Sequence, residues 1–260
     1  AEGEYSSSGR APPGRKRLDG EAGDVSSDPV ALPASKVVEK LKGKDVSSRL
    51  KQGAPPAVIV ACGSYNPITN QHLRNLELCR YELTQKLGYC VIGGFLSPVS
   101  GAYSKPGLET SEHRVGMAQH AVEESAWVAV DTWEASQPLY VRTVYVLRSI
   151  EEEVNHALRG ECSLGGAPVR VVLQCGADML AAMNDPKAWD HKLLHELLLS
   201  YEVVCVGRDG VDSAELTKQG TILHGYTKQI HFIEDPFANE VSSSRVRAEL
   251  ASGRPVDYII

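Results

Sequence analysis

Short apolar runs rich in β-branched residues recur along this chain and alternate with longer amphipathic segments. The runs are "AVIVAC", "YCVIGGFLSPV", "WVAVD", "VRVVLQC", "YEVVCVG" and "IHFIE". Their length and lack of polar alternation suit strands buried on both faces of a parallel sheet. Between and after them lie segments with helical spacing: "NQHLRNLELCRYELTQKL", "TSEHRVGMAQHAVEE", "YVRTVYVLRSIEEEVNHAL", "AWDHKLLHELLLS" and "SSSRVRAELASG". This alternation predicts an α/β fold, a Rossmann-like doubly wound parallel sheet with right-handed crossovers in a single domain. Ligands of such sheets bind at the carboxyl ends of the strands, near the topological switch point. We expect the domain to occupy 56–260. Residues 1–55 form an N-terminal arm in this reading, largely disordered because its start is rich in Ser, Gly, Pro and charge. A short helix is expected in it over "VVEKLKGKDVSSRL".

Charge and cysteine content narrow the function classes. A formal net charge of -6 argues against a broad basic face for nucleic acid. No apolar stretch approaches the ~20 residues that cross a bilayer, and the N-terminus has no apolar signal region; we expect no membrane partner. The six cysteines include no C-x-x-C pair, and most lie in strand-like runs, so they read as buried, reduced thiols rather than zinc ligands. That places the chain in the cytoplasm, the nucleus or both, with "GRKR" (Gly14 to Arg17) a weak nuclear-localisation candidate.

Three stretches carry chemistry. "GSYNPITNQH" (Gly63 to His72) joins the first strand to the first strong helix. Gly63 there lets a phosphate approach the backbone, Pro67 stiffens the turn, Thr69 or Asn70 caps the helix, and His72 projects toward an anion at the helix start. It is neither a P-loop nor G-x-G-x-x-G. In "NEVSSSRVRAEL", Ser242, Ser243 and Ser244 form an N-cap cluster, while Arg245 and Arg247 stand in the first turn, where the helix dipole disfavours cations. A bound polyphosphate would account for them. In "CGADML", Gly176 permits close approach and Asp178 can accept from a ribose, although a plain helix cap explains the pair as well. His191 and His195 read as a helix face, since "HKLLH" lacks the glutamate of a zincin site.

Together these stretches resemble a known family. "GSYNPITNQH" resembles the G-x-F/Y-N-P-[IV]-[TH]-x-x-H signature of the nucleotidylyltransferases, and "VSSSRVR" resembles their I-S-S-T-x-x-R signature. With "SPVSGAYSKPGL", "SEHRVGMA", "WVAVDTWE", "CGADML" and "FANEVSSS", the chain resembles the eukaryotic-type nicotinamide-nucleotide adenylyltransferases from about Val58 to Tyr258. The resemblance implies adenylyl transfer from ATP, with Mg²⁺, to nicotinamide mononucleotide or its nicotinate form by direct in-line attack.

It also implies roles residue by residue. His72 would stabilise the transferring phosphate, with Lys105, Arg245 and Arg247 as further catalytic cations. Gly63, Ser64, Tyr65, Ser244, Arg208, Gly176, Asp178 and Asn239 would bind the nucleotides. Trp189 would stack on the pyridine, Thr143 would lie near its carboxamide, and Trp133, Glu134 and Tyr140 would complete that pocket. Tyr140 stands where a second tryptophan is expected, and a further helix is expected after "PVDYII". We also expect a homo-oligomer. Two alternatives are a related transferase with another phosphorylated acceptor and a non-catalytic nucleotide sensor or chaperone-like protein.

Overall fold

The computed structural model describes residues 35–159, 161, 164, 166–207, 213–237 and 241–260. Its sheet is built from β1 (Pro56–Gly63), β2 (Cys90–Pro98), β3 (Val128–Val130), β4 (Arg170–Gly176), β5 (Glu202–Gly207) and β6 (Ile230–Glu234). The strands run in the order β3-β2-β1-β4-β5-β6, every pairing parallel. The chain moves outward from β1 to β3, then returns to place β4 on the other side of β1. The switch point therefore lies between the carboxyl ends of β1 and β4, where ligands of open α/β sheets bind.

Alternate residues of each strand feed two cores. Val58, Val60, Ile92 and Leu173 face one layer, which is covered by α1 (Ser35–Leu41), α2 (Lys44–Lys51), α6 (Thr143–Ala157) and α8 (His191–Ser200). Ala57, Ile59, Ala61 and Leu96 face the other, covered by α3 (Asn70–Gln85) and α4 (Ser111–Ala121). Helical spacing produces the match: α6 buries Val144, Leu147, Ile150 and Val154, and α3 buries Leu76, Cys79 and Leu83. On α8 the buried Leu194, Leu197 and Leu198 leave His191 and His195 exposed, the solvated face expected of them.

The stretch expected as one short helix in the arm forms two, α1 and α2, broken at Lys42 and Gly43. Val37, Leu41 and Val46 belong to the first core, so the packed unit extends back to residue 35, ahead of the boundary set at residue 56. Gly93 in β2 makes room for this layer, because a Cβ there would lie 2.7 Å from Val37 Cγ2. Three short elements were not expected, α5 (Trp133–Ser136), α9 (Ser213–Leu216) and a 3-10 turn at Ile222–Tyr226, while α7 (Ala177–Ala182) is the helix that the cap reading of "CGADML" implied, with Gly176 at its N-cap. Cys79, Cys90, Cys175 and Cys205 are buried free thiols and Cys62 is partly exposed, while Cys162 lies outside the described residues. The final α10 (Ser243–Ala251) folds back toward β1, its Ser243 hydroxyl donating to Pro67 O at 2.8 Å.

Candidate active site

The turn after β1 is held from three sides by groups far apart in sequence. Asn66, 2% exposed, donates through Nδ2 to Gly107 O (2.7 Å) and accepts from Glu109 N–H (3.3 Å), tying the turn to the loop before α4. Its own carbonyl accepts from Arg247 Nη1 at 2.7 Å. Arg114 of α4 is fully buried, donating to Ser64 O (2.9 Å), Val99 O (2.6 Å) and Glu109 O (3.0 Å). Three carbonyls on one guanidinium fix the ends of β1 and β2 and the loop that carries Lys105.

Gly63 has a reason within the protein besides the one its position suggested. A Cβ there would meet Tyr65 Cζ at 3.1 Å, so the missing side chain makes room for a neighbouring ring. Tyr65 adopts φ 45°, turns its ring inward and donates to Ala61 O at 2.6 Å. Ser64 keeps its place at the mouth, and Lys105 Nζ donates to its hydroxyl at 3.1 Å.

His72 sits in the first turn of α3. Its Nδ1 accepts the Thr69 N–H at 3.0 Å and lies 2.8 Å from the Thr69 hydroxyl, closing a capping box. An Nδ1 that accepts a backbone N–H carries no proton, so the neutral ring bears its proton on Nε2. The edge of Tyr65 against the imidazole, 5.3 Å between centroids, fixes the ring plane. The helix start itself is less open than expected: Asn70 N–H donates to Ile259 O (3.0 Å) and its amide to Tyr258 O (2.8 Å). Side chains, more than α3's backbone, therefore supply the positive charge at this end.

That charge comes from three cations. Lys105 has its ammonium pushed below the usual lysine value, first by burial and then by Arg247 and Arg114. Repulsion among these three is what a bound anion relieves. Arg247 also donates to the Ser244 hydroxyl at 3.3 Å, so Ser64, Lys105, Ser244 and Arg247 converge around the turn that holds His72. Arg245 lies two residues before Arg247 on α10. Residues two apart on a helix lie about 200° apart, and the charge of Arg245 reaches Glu249.

Across the switch point, β4 ends at Gly176, where a Cβ would meet nothing within 4 Å, leaving room for a ligand between the two strand ends. Asp178 is exposed in the first turn of α7. Arg208 and Asn239 lie outside the described residues.

Past β3, a third group of residues gathers. Glu134, 3% exposed, accepts from the Ser97 hydroxyl at 3.3 Å. Burial, and after it the charge of Asp131, pushes its carboxyl well above the usual range. Trp133 is 6% exposed and part of the core. Tyr140 packs on Tyr103 with centroids 5.4 Å apart, and Thr143 opens α6, buried. Burial first, then Glu134, pushes the Tyr140 hydroxyl up to about 12. Arg142 lies 5.3 Å over the Tyr140 ring and donates to Ala188 O, the residue before the half-buried Trp189.

Residues 60–249 match the cytidylyltransferase-like family model. The nicotinamide/nicotinic acid mononucleotide adenylyltransferase of Oryza sativa subsp. japonica is 36% identical over 204 residues, 78% of this chain and 80% of that protein. Its Arabidopsis thaliana counterpart is 37% identical over 202 residues, 78% of this chain and 83% of that one. The chain belongs to the nicotinamide/nicotinic acid mononucleotide adenylyltransferase family. Against the Saccharomyces cerevisiae nicotinamide/nicotinic acid mononucleotide adenylyltransferase 1, at 36% identity, the chain spans about half the relative's length (52%). The solved Plasmodium falciparum nicotinic acid mononucleotide adenylyltransferase, complexed with NaAD, shares the fold, with a TM-score of 0.54 at 16% identity over 78% of this chain and 87% of that one.

Within this adenylyltransferase-family chain, sequence reasoning missed Asn66, Arg114 and Arg142. A signal existed for each of the arginines, a cation at or near the first turn of a helix, which the dipole disfavours. Asn66 stands in the quoted signature as the residue before Pro67, but its type alone does not show that its amide bridges two loops.

Proposed function

We propose that the chain transfers the adenylyl group of ATP to nicotinamide mononucleotide and to nicotinate mononucleotide, releasing pyrophosphate and NAD or its deamido form. The observation that carries this reading is the convergence of Lys105, Arg114 and Arg247 on the turn between β1 and α3, with Lys105 on the Ser64 hydroxyl, Arg114 on Ser64 O and Arg247 on Asn66 O. Membership of the adenylyltransferase family supports it.

In the proposed reaction the acceptor's phosphate oxygen attacks the α-phosphorus of ATP, a P–O bond forms to it, and the bond to the pyrophosphate oxygen breaks. No enzyme nucleophile is needed, so the protein works by positioning and charge stabilisation. His72, donating through Nε2, meets charge developing on the transferring group. Arg247 and Ser244 hold the leaving polyphosphate, Lys105 and Ser64 hold the mononucleotide phosphate, and Trp189 offers a flat face to the pyridine. Gly176 and Asp178 take the nucleoside between β1 and β4.

Among the described residues no group of three or more His, Cys, Asp or Glu could hold a metal ion. In this reading Mg²⁺ enters with the ATP substrate, held largely by phosphate and water. Homo-oligomeric assembly and a cytoplasmic or nuclear location complete the proposal, the latter supported by the buried free thiols. Incubation with MgATP and each mononucleotide should yield dinucleotide and pyrophosphate in equal amounts. Folded protein that binds ATP yet forms neither dinucleotide would favour the sensor reading or another acceptor.

A further inference from the structure

Arg142 is a cation whose position the fold alone does not explain. It stands at the N-cap of α6, makes no side-chain cap and has no acidic residue in the first turn for company. Its Nη1 donates to Ala188 O at 3.2 Å, and its guanidinium lies over Tyr140. Its Nε, by contrast, is buried without a hydrogen-bond partner. A buried, unsatisfied donor is costly, more so on a charged group. The atoms on either side of it belong to the pocket: Tyr140 beneath the guanidinium plane, and Trp189 next in the chain to the carbonyl that fixes Nη1.

We propose that Arg142 reads the 3-substituent of the pyridine and makes the carboxylate of nicotinate mononucleotide the favoured acceptor over the neutral carboxamide. This rests on the adenylyl-transfer reading for the identity of the ligand. With Nη1 tied to Ala188, the guanidinium has its Nε–Nη2 edge left for a carboxylate, the edge that such groups meet with two parallel hydrogen bonds. A carboxamide offers one acceptor oxygen without charge, and its NH₂ would face a donor. Glu134, whose charge reaches Tyr140, has its carboxyl pushed up by burial and then by Asp131, which weakens its opposition to a bound carboxylate. The stacked Tyr140 holds the guanidinium plane in place.

The test compares wild type with Arg142→Met and Arg142→Lys, using both mononucleotides. Two readouts are needed: kcat/KM for dinucleotide formation, and Kd for each mononucleotide alone by calorimetry. Wild type should favour nicotinate. In Arg142→Met the nicotinate-to-nicotinamide ratio of kcat/KM should fall about 10- to 100-fold, the range of a charged hydrogen bond, and the ratio of affinities should fall with it. Arg142→Lys, which keeps the charge but loses the fork, should fall between. Equal losses for both acceptors would show that Arg142 only supports Tyr140 and Ala188 and would overturn the proposal, as would an unchanged ratio or wild type binding neither mononucleotide. Wild type that binds nicotinate through Arg142 but forms no dinucleotide would sustain the proposal and refute adenylyl transfer.

Discussion

His72 serves two purposes through its two nitrogens. Nδ1 accepts Thr69 N–H and thereby caps α3, while Nε2 carries the proton offered to phosphate. His72→Ala should therefore lower stability by about 1 kcal/mol through the cap and lower turnover by about 10²-fold or more through the lost donor. Urea melts and steady-state rates separate the two, and a variant that keeps most of its turnover would remove His72 from the chemistry. Arg114 acts through others: replacing it by Met would strand the carbonyls of Ser64, Val99 and Glu109 and should cost about 2–4 kcal/mol, read in the same melts. A melting curve equal to wild type would contradict its place as the buried clamp. At this scale the sequence was legible where a residue's type is unusual for its position, as with Arg247. It was illegible where the cause is a local backbone conformation or a helical angle that residue types do not show. Gly63 answers to Tyr65's ring, and the separation of Arg245 from Arg247 follows from helix geometry that a list of nearby cations conceals.

Among elements, the six strands were legible because burial on both faces leaves long apolar runs that few other structures use. The short α5 and α9 and the 3-10 turn were not, since one or two helical turns carry no periodicity and exist only where tertiary contacts hold them. One link between elements has a pH signature. Asp235, just past β6, is paired with Arg74 of α3 at 2.6 Å, and its carboxyl is held at about 2, first by the Arg74 hydrogen bonds and then by Phe237 N–H and Gln71. A depressed folded pKa means that the stabilisation is fully present above the ordinary carboxylate value near 4 and is lost as pH falls toward about 2. Arg74→Met should therefore be less stable than wild type at pH 7, with the difference shrinking below pH 4. A difference that stays constant down to pH 3 would contradict the pairing as the cause.

Over the whole molecule, the doubly wound order brings together groups from opposite ends of the chain: the turn after β1, the loop before α4, and α10 more than 170 residues later. Ser243 on Pro67 and Arg247 on Asn66 are the joints. This convergence was legible as two phosphate-type motifs, but their meeting at one switch point follows from β4 being placed beside β1. The early layer formed by α1 and α2 was less legible, because two helices of seven and eight residues in a polar, charged stretch bury only a few side chains each. Leu41→Ala should still cost about 2–5 kcal/mol if that layer belongs to the core, and an unchanged urea midpoint would detach it.

The central claim is that the cations gathered at the switch point act on a transferring phosphate. The rate of pyrophosphate release by Arg247→Met, at saturating MgATP and nicotinamide mononucleotide, tests it most directly. We expect a fall of about 10²-fold or more relative to wild type, while the loss of the Asn66 hydrogen bond lowers stability by about 1–2 kcal/mol and leaves the variant folded. A folded variant that turns over at close to the wild-type rate would contradict it.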